Sequence, residues 1–566
     1  MEFDYIIVGG GSAGCVMASR LSEKDANRVL LIEAGPDTPP ARIPSEIASS
    51  YPGRAYLNAR YVWNDLKVRV TPVPHNAPET ARPMRKYEQA RVLGGGSSIN
   101  GQLANRGAPA DYDEWVERGA AGWGWADVLP YFRKLEHDTD FDGPMHGKGG
   151  PIMVSRIMPD KWSAYSKAVA AAFAGTGSNF YLDQNEAFRE GHYPLVISNV
   201  HEHRVSAAMG YLNAGVRARP NLRILTEAQV TKLEFENQRC VGVRALVDGV
   251  EQTFRAGEII LSAGAIHTPA ILQRAGIGPA DHLRARGIEV LADVPAVGSG
   301  LMDHPVVALA SFLKREARMS EVTGRHMQVS MRYSSGLDGS RPGDMVISAL
   351  GKSAWHDVGR QIGSLVVILH KTLSQDGTVR LASPDWREEP VVDFNLLSDR
   401  RDLVRLMDGL RRAAAIQLSE PVKAVTSNPF PTSYSDRMRK AGAVNRWNGM
   451  RMAIVSRLLD ANPMLRNFLM RNFIVEGYTL EELLGDEEKL EDFIRSHAVG
   501  AWHAACTCRM GRADDPAAAV DNEGRVKGVE GLRVVDASIF PVIPCANTNV
   551  PTIMAAEKIA ATMLRA

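Results

Sequence analysis

The chain has 566 residues, 45% of them hydrophobic and 23% charged, with a formal net charge of +1. This composition is that of a globular protein with more than one core, and the balanced charge excludes binding to nucleic acid through a concentrated basic surface. Five cysteines are too few for a disulfide framework, no apolar run is long enough for a membrane span and the first residues show no signal peptide, so the sequence predicts a cytoplasmic protein.

The opening segment F-D-Y-I-I-V-G-G-G-S-A-G predicts a buried strand, a glycine turn and a helix. Its glycines have the spacing G-x-G-x-x-G, in which the first makes a tight turn, the second admits a pyrophosphate and the third lets the helix pack on the strand. A second strand ends at Glu33, about 20 residues past the turn, where an acid meets a ribose hydroxyl. The segment predicts a site for NAD or FAD, with contacts at Gly9, Gly11, Ser12, Ala13, Gly14, Glu33 and Ala34.

Three further segments contain glycine-rich or proline-rich turns. The first, R-V-L-G-G-G-S-S-I-N-G from Arg91, lacks the G-K-[ST] ending of a P-loop, which excludes a triphosphate loop of that kind. The second, G-A-I-H-T-P-A-I-L-Q-R-A-G-I-G-P from Gly264, follows an apolar strand predicted at Glu258–Ser262. The third is L-R-V-V-D-A-S-I-F-P-V-I-P-C-A-N-T-N-V-P-T, from Leu532.

In their order along the chain, the four segments resemble those of the glucose–methanol–choline (GMC) oxidoreductases, a family of FAD flavoproteins. The resemblance implies an α/β fold with a Rossmann-like FAD-binding domain, assembled from residues 1–144, 221–300 and 496–566. It also implies a substrate-binding domain on a mostly antiparallel sheet, from residues 145–220 and 301–495. Within the family the chain is similar to bacterial oxidases of hydroxymethylfurfural and other aryl alcohols. Choline and polyethylene-glycol dehydrogenases are near relatives.

The resemblance implies further contacts with FAD along the pyrophosphate, the ribityl chain, the flavin and the adenine. Some members of the family bind the flavin covalently through a histidine directly before the asparagine of the second glycine turn. Ile99 stands at that position here and offers no nucleophile, so we expect FAD to be bound non-covalently. Val230 is expected to meet adenine through its backbone, although it could instead be an ordinary core valine. The other implied contacts are Val92, Gly95, Asn100, Leu103, Asp536, Ala537 and Thr548.

Oxidation of an alcohol by a flavin requires a base for the hydroxyl proton, and histidine suits this role because its pKa of about 6.5 lies near working pH. By the resemblance, the base is His503 in A-W-H-A-A-C-T-C-R-M-G. The residue that orients the alcohol is Asn547 in P-C-A-N-T-N-V-P-T, which its spacing to the last helix favours over Asn549. With asparagine in place of a second histidine, we expect one titrating group in the pH profile.

His503 has other interpretations: a structural histidine, a metal ligand, or a redox centre with Cys506 and Cys508. A C-x-C pair without a second pair is a weak zinc signal and lacks the C-x-x-C spacing of a thiol–disulfide centre. The H-E-H run at His201–His203 also lacks the spacing of a helical zinc site, so no metal is predicted. Cys508 stands where relatives carry a cysteine, whereas Cys506 and Cys545 are expected to be small packing residues.

Residues 434–475, here called the insertion, combine eight Lys or Arg side chains with many Met, Leu and Ile residues. This basic, amphipathic pattern is typical of helices at a surface. Three interpretations follow from it. The insertion packs on the substrate-binding domain, covers the active-site cavity as a lid, or makes a peripheral contact with a membrane in which a quinone would accept electrons.

The predicted function is FAD-dependent oxidation of primary alcohols of aryl or furanic type, with oxygen or a quinone-like compound as the electron acceptor. The alternative within this class is a choline-type or polyethylene-glycol-type alcohol dehydrogenase. Two alternatives lie outside it: a flavin-containing hydroxynitrile lyase, which the same fold hosts, and a flavin-binding module without activity. The sequence does not separate an oxidase from a dehydrogenase.

Overall fold

The chain forms two large sheets, and the N-terminal glycine turn follows a strand of the first one. The structure is a computed structural model that describes residues 2–72, 81–319, 325–432, 435–475 and 477–565. The strand order of the first sheet is Leu222–Leu225, Val29–Ile32, Phe3–Val8, Val250–Leu261, Arg239–Val247 and Ala228–Glu236, and Leu532–Val534 also pairs with Val250–Leu261.

The first sheet is parallel on one side and antiparallel on the other. Phe3–Val8 pairs in parallel with Val29–Ile32 and with Val250–Leu261. All four residues of Val29–Ile32 are buried, as expected of a parallel strand that is covered on both faces. Val250–Leu261 is long enough to continue into an antiparallel hairpin with Arg239–Val247. The parallel part therefore forms the Rossmann-like unit that the glycine turn predicts.

The second sheet is antiparallel throughout. Its strand order is Thr426–Thr432, Pro305–Leu313, Ile362–Leu369, Met345–Leu350, Met327–Tyr333 and Gly191–Pro194, with the short strand Val499–Gly500 also paired to Pro305–Leu313. Because side chains alternate between the faces of a strand, this sheet has two different surfaces. One surface packs in a hydrophobic core that includes Val307, Leu309, Ile347, Leu365 and Val367. The other lines a large cavity and includes Val306, Ala308, Ser348, Val366 and Ile368.

Smaller elements complete the structure. A five-stranded sheet contains Ser299–Leu301, Gly377–Arg380, Val391–Asp393, Lys67–Arg69 and Arg85–Lys86, and three two-stranded sheets pair Ile277–Gly278 with Ala292–Asp293, Glu136–Asp138 with Ile152–Val154, and Asn199–Val200 with His203–Arg204. The α-helices outside the insertion are Ser12–Leu21, Ser45–Ala48, Gly53–Tyr56, Gly96–Ile99, Pro109–Glu117, Trp125–Leu135, Ala164–Gly175, Ala207–Tyr211, Ala214–Arg217, Gly264–Arg274, Ala280–Ala285, Asp357–Arg360, Arg400–Gln417, Glu420–Val425, Leu480–Gly485, Glu487–His497 and Asn549–Arg565.

The insertion is helical, as its pattern predicts. Its described residues form the helices Asp436–Gly442, Arg446–Ala461 and Pro463–Leu469, followed by a π-helical turn at Met470–Ile474, while Tyr434 lies outside the described part. Across the residues that the structure describes, no helix has both the length and the hydrophobicity needed to cross a bilayer. The predicted fold class, an α/β Rossmann-like unit with a second, antiparallel sheet, is confirmed.

Candidate active site

A cavity of about 1430 Å³ lies between the glycine turn and the second sheet. It brings together residues that are far apart in the sequence, including His503 and Asn547. Most of the predicted cofactor contacts line it: Gly9, Gly11, Ser12, Ala13, Glu33, Ala34, Gly95, Asn100, Leu103, Val230, Asp536, Ala537 and Thr548. Val92 is different, because its buried side chain packs in a separate small core with Ile47 and Tyr61 rather than on the cavity lining. Gly14 also lies off the lining.

The two glycine turns pack directly against each other at one end of the cavity. A Cβ atom on Gly95 would lie 2.6 Å from Cα of Gly11, and a Cβ atom on Gly14 would overlap the carbonyl oxygen of Gly9. Gly9 has φ +100°, a conformation that favours glycine. The helix Ser12–Leu21 begins here without a side-chain cap. Its first N–H groups lie at the lining and can donate hydrogen bonds to an anion. This cradle fits the pyrophosphate of a dinucleotide.

Two buried carboxylates hold the cofactor end of the cavity together. The oxygens of Glu33 accept hydrogen bonds from the backbone N–H groups of Gly10, at 2.8 Å, and Gly35, at 2.7 Å. Asp536 accepts from the backbone N–H of Gly264 at 2.9 Å and from the Thr268 hydroxyl at 2.6 Å. Both carboxylates therefore join segments of the chain in addition to lining the cavity. With the uncapped helix and the close glycine turns, this donor and acceptor set fits FAD.

His503 is placed by the end of the second sheet. Val499–Gly500 pairs antiparallel with the start of Pro305–Leu313, so the residues before one strand face the residues after the other. Oδ1 of the buried Asp303 accepts from the backbone N–H of His503 at 2.9 Å and of Ala501 at 3.1 Å. Burial raises the pKa of Asp303 to about 7, although these backbone donors oppose the rise. Asp303 thus anchors the backbone that presents His503 to the cavity.

On the Asn547 side, a backbone group fixes the direction of the hydrogen bonds. The N–H of Asn547 can only donate, and it donates to Oδ1 of Asn105 at 2.9 Å. Nδ2 of Asn105 then donates to Oδ1 of Asn547 at 3.1 Å, which leaves Nδ2 of Asn547 pointing at Nε2 of His503 at 2.9 Å. Because an amide nitrogen has only hydrogens to offer, Nε2 of His503 is the unprotonated ring nitrogen.

At the other end of this chain of hydrogen bonds, the contact of His304 with Pro544 also requires that Nδ1 of His503 donates and that Nε2 of His503 is unprotonated. The carbonyl oxygen of Pro544 can only accept, so Nε2 of His304, 3.1 Å away, carries a hydrogen. A neutral imidazole carries only one, so Nδ1 of His304 accepts from Nδ1 of His503 at 2.8 Å. Burial lowers the pKa of His304 well below its usual value and that of His503 to about 4, so both rings are neutral near neutral pH. Nε2 of His503 is therefore the basic nitrogen, and its lone pair accepts the hydrogen bond from Nδ2 of Asn547.

The backbone on either side of His503 is in the left-handed region. Trp502 has φ +59° and Cys506 has φ +75°, and neither is a glycine. Such conformations cost on the order of 1–3 kcal/mol each and persist where the surrounding structure imposes them. Asn549, the competitor of Asn547, has a different contact: its Oδ1 accepts from the Ser12 hydroxyl at 2.7 Å, at the glycine turn. The structure thus brings Asn547, and not Asn549, to the ring of His503.

The cysteines near His503 are packing residues in the structure. Cys506, Cys508 and Cys545 are buried free thiols, and burial raises the pKa of each. A thiolate is the reactive form of cysteine in redox and metal chemistry, so these environments disfavour both.

One cluster in the described part of the chain has the composition of a metal site. It consists of Glu136, Asp138 and His146, away from the cavity. Arg106 already pairs with Glu136 at 2.5 Å, and Arg156 with Asp138 at 2.9 Å. Burial lowers the pKa of His146, but the neighbouring carboxylates raise it to about 10. A protonated imidazole cannot bind a metal, and the cluster is a buried network of ion pairs.

Three residues at the site were not predicted from the sequence: Asn105, Asp303 and His304. The sequence offered one signal for two of them. Asp303 and His304 directly precede an apolar strand. A charged residue beside such a strand is rarely buried unless it has a partner, so this pair indicated a buried polar contact.

Known proteins resemble the chain along nearly its whole length. Two family models, both described as GMC oxidoreductase, match residues 3–306 and 373–556. The chain is 43% identical to a 5-(hydroxymethyl)furfural oxidase of Methylovorus sp. (strain MP688), over 99% of this chain and 98% of that protein. It is 32% identical to an alcohol dehydrogenase (acceptor) of Pseudomonas putida, over 100% and 96%. The crystal structure of pyridoxine 4-oxidase from Mesorbium loti matches with a TM-score of 0.80 and 26% identity, over 100% of this chain and 99% of that one.

Proposed function

The chain belongs to the GMC oxidoreductase family of FAD flavoproteins, and from that premise we propose that it oxidises primary alcohols of aryl or furanic type to aldehydes, with His503 as the base. The observation that carries the proposal is the directed chain of hydrogen bonds from Asn105 to Pro544. It makes Nε2 of His503, at the cavity wall, the basic nitrogen, and the hydroxyl of an alcohol would replace the amide of Asn547 as its partner.

Bound FAD would supply the acceptor for the hydride that leaves the alcohol carbon. Nε2 of His503 takes the hydroxyl proton, and Nδ2 of Asn547 donates a hydrogen bond to the same oxygen. The two nitrogens are 2.9 Å apart, so one oxygen atom can contact both. A positioned base contributes roughly 10²–10⁴-fold in rate, and the donor adds orientation of the alcohol.

The cofactor end of the same proposal assigns FAD to the residues between the two glycine turns. The uncapped helix at Ser12 takes the pyrophosphate, and Glu33 takes a ribose hydroxyl. The side chain at position 99 is isoleucine, which cannot bond covalently to a flavin, so the cofactor is non-covalent. Acid precipitation of the yellow protein tests this point: we expect the flavin in the supernatant, and flavin retained in the pellet would contradict it.

The preference for aryl or furanic alcohols rests on the wall opposite the cofactor. The cavity-facing surface of the second sheet is mostly aliphatic, which suits a flat, apolar substrate. One carboxylate oxygen of Glu88 accepts a hydrogen bond from the indole N–H of Trp502 at 3.2 Å. The other oxygen pairs with Arg439 at 2.8 Å. Because Arg439 offsets the charge of Glu88, this acid offers little attraction to the quaternary ammonium of a choline-type substrate. The similarity to a hydroxymethylfurfural oxidase supports the same substrate class.

The electron acceptor is oxygen or a quinone-like compound, and one experiment addresses the acceptor, the substrate and the reaction class. Purified enzyme is offered furanic, benzylic, choline and polyethylene-glycol alcohols, and hydrogen peroxide and dye reduction are scored in parallel. We expect furanic and benzylic alcohols to bleach the flavin in the absence of oxygen. A hydroxynitrile lyase or an inactive flavin module would leave the flavin oxidised with every alcohol, and bleaching by choline alone would favour the dehydrogenase alternative.

A further inference from the structure

The helix Arg446–Ala461 of the insertion carries a stripe of exposed apolar side chains. Trp447, Met450, Ile454 and Leu458 are 69%, 53%, 60% and 41% exposed. Their spacing of three and four residues places them in one line along the helix. Single exposed apolar residues are common, but a continuous stripe of large ones marks a surface that contacts something else. We call these four residues the outer stripe.

The outer stripe is not the face by which the helix packs on the protein. That role belongs to Leu459, which is fully buried, and to Met452 and Val455, which line the cavity. The helix is therefore apolar on two faces, and only one of them is covered within the described structure. The covered face forms part of the cavity wall, so whatever binds the outer stripe lies directly outside the cavity.

The charges around the outer stripe are positive. At 3.6 residues per turn, Arg451 lies along one edge of the stripe, and Arg446 and Arg457 lie along the other. All three side chains are exposed, and none forms an ion pair with another described residue. The nearby acid Asp460 pairs with Arg318 at 2.6 Å and is thereby neutralised. The outer face of the helix thus presents an apolar line between two rows of unpaired positive charge.

We propose that the outer stripe and its arginines form a docking surface for an anionic lipid bilayer, with the helix lying in the plane of the interface. An interfacial helix inserts its apolar side chains between the headgroups, while flanking arginines contact the phosphates. A second copy of this chain fits less well, because a two-fold contact through the stripe would bring both sets of arginines together. Nucleic acid would use the arginines but leave the apolar line exposed.

Vesicle flotation tests the proposal with the FAD-loaded protein. We expect co-flotation with vesicles of phosphatidylcholine and phosphatidylglycerol at low salt, and much less with phosphatidylcholine alone or at high salt. Each arginine near an anionic surface contributes enough that replacing all three should weaken binding on the order of 10²-fold. The charge variant is Arg446→Gln, Arg451→Gln and Arg457→Gln, and the stripe variant is Trp447→Ser with Ile454→Ser. Both should lose binding while keeping their alcohol-dependent activity.

Matched controls replace equally exposed groups elsewhere. Arg284→Gln with Arg400→Gln removes exposed arginines of other helices, and Val250→Ser removes a side chain that is 61% exposed. These controls should bind vesicles as the unchanged protein does. The proposal is overturned if anionic vesicles fail to bind the protein at low salt, or if the control variants lose binding equally. It is also overturned if the stripe variant instead converts a dimer to a monomer in analytical ultracentrifugation, because a second copy would then cover the stripe.

Discussion

Two walls of the same cavity are built in opposite ways. Around His503, a continuous chain of hydrogen bonds runs between backbone groups at Asn547 and Pro544. The insertion contributes Met452 and Val455 to the cavity wall, and its outer side exposes apolar and unpaired basic residues. The wall at His503 is defined by the direction of its hydrogen bonds and the protonation state of its histidines. The wall at the insertion is defined by the packing of its apolar side chains.

The difference indicates that the two walls have different roles. A group whose proton position is fixed by five hydrogen bonds can act only in one way, so changes there should alter the chemical step. A wall held by apolar packing can move or be replaced without a change of protonation, so changes there should alter access and attachment. The variants below separate these effects, beginning with the largest expected loss of alcohol oxidation.

Replacing the base should cause the largest loss. In His503→Ala we expect anaerobic reduction of the flavin by alcohol to slow by on the order of 10²–10⁴-fold, with FAD content unchanged. In the unchanged enzyme the base has to be neutral, and burial lowers its pKa to about 4. The rate should therefore be constant at neutral pH and fall as the pH drops through about 4. Stopped-flow absorbance measures both, and a rate within a few-fold of the unchanged enzyme would refute the assignment.

His304 should come next, as a positioning residue. His304→Leu removes the acceptor for the Nδ1–H of His503, and an unsatisfied buried donor costs about 1–3 kcal/mol, which corresponds to roughly 5–150-fold in rate. The loss should appear in kcat, with little change in KM, and the acid limb of the pH profile should shift.

His370→Leu is the matched control for this variant. His370 is also buried, its ring centroid lies 5.0 Å from that of His304, and its ring nitrogens have no hydrogen-bond partner in the described structure. His370 takes no part in the chain of hydrogen bonds from Asn105 to Pro544, so its replacement should leave the pH profile unchanged. Equal effects of the two variants on the pH profile would show that the direction of the hydrogen bonds does not matter.

Two asparagines two positions apart should have different, smaller effects. Asn547→Ala removes one neutral hydrogen bond to the alcohol, and we expect a loss of about 3–10-fold in kcat/KM. Asn549→Ala removes the contact with Ser12 at the glycine turn, so it should weaken FAD binding and leave oxidation by the FAD-saturated enzyme unchanged. Steady-state kinetics and FAD titration distinguish the two, and the reverse pattern would exchange their roles.

The insertion should show the smallest effect on chemistry. Leu459→Ala truncates a fully buried side chain on the packed face, which typically costs about 2–5 kcal/mol, here borne mainly by the insertion. Ile454→Ala, on the outer stripe of the same helix, should change stability by less than about 0.5 kcal/mol. Limited proteolysis should cleave the first variant faster at the insertion, while both reduce their flavin at the normal rate. A large loss of flavin reduction in Leu459→Ala would show that this wall also sets the chemistry.

Local patterns predicted the glycine turn and the acid at one end of the cavity, whereas the other cofactor contacts were implied by the family resemblance and stay predictions. The turn at Gly9 and the acid at Glu33 belong to one short βαβ unit, so sequence spacing translates directly into geometry. His503 and Asn547 were predicted from the family resemblance, and their roles stay proposals. The cytoplasmic location and the division into two domains also stay predictions from the sequence.

The remaining site residues depend on tertiary pairing. His304 and His503 are 199 residues apart, and only the antiparallel contact of Pro305–Leu313 with Val499–Gly500 brings them together. No spacing rule in a single sequence reports such a pairing. Val92 shows another limit: it stands in a cofactor motif, but its side chain is buried in a neighbouring core.

The carbonyl of Pro544, where the chain of hydrogen bonds ends, has a consequence for the fate of the proton. A main-chain carbonyl cannot take up a proton, and the pKa of His304 is too low for it to store one. Along these hydrogen bonds, no group beyond His503 can therefore hold the proton that His503 accepts, so the proton returns through Nε2, on the cavity side. Burial lowers the pKa of His503 itself to about 4, so the protonated ring gives up its proton readily, and recovery of the base requires only an acceptor for that proton in the cavity.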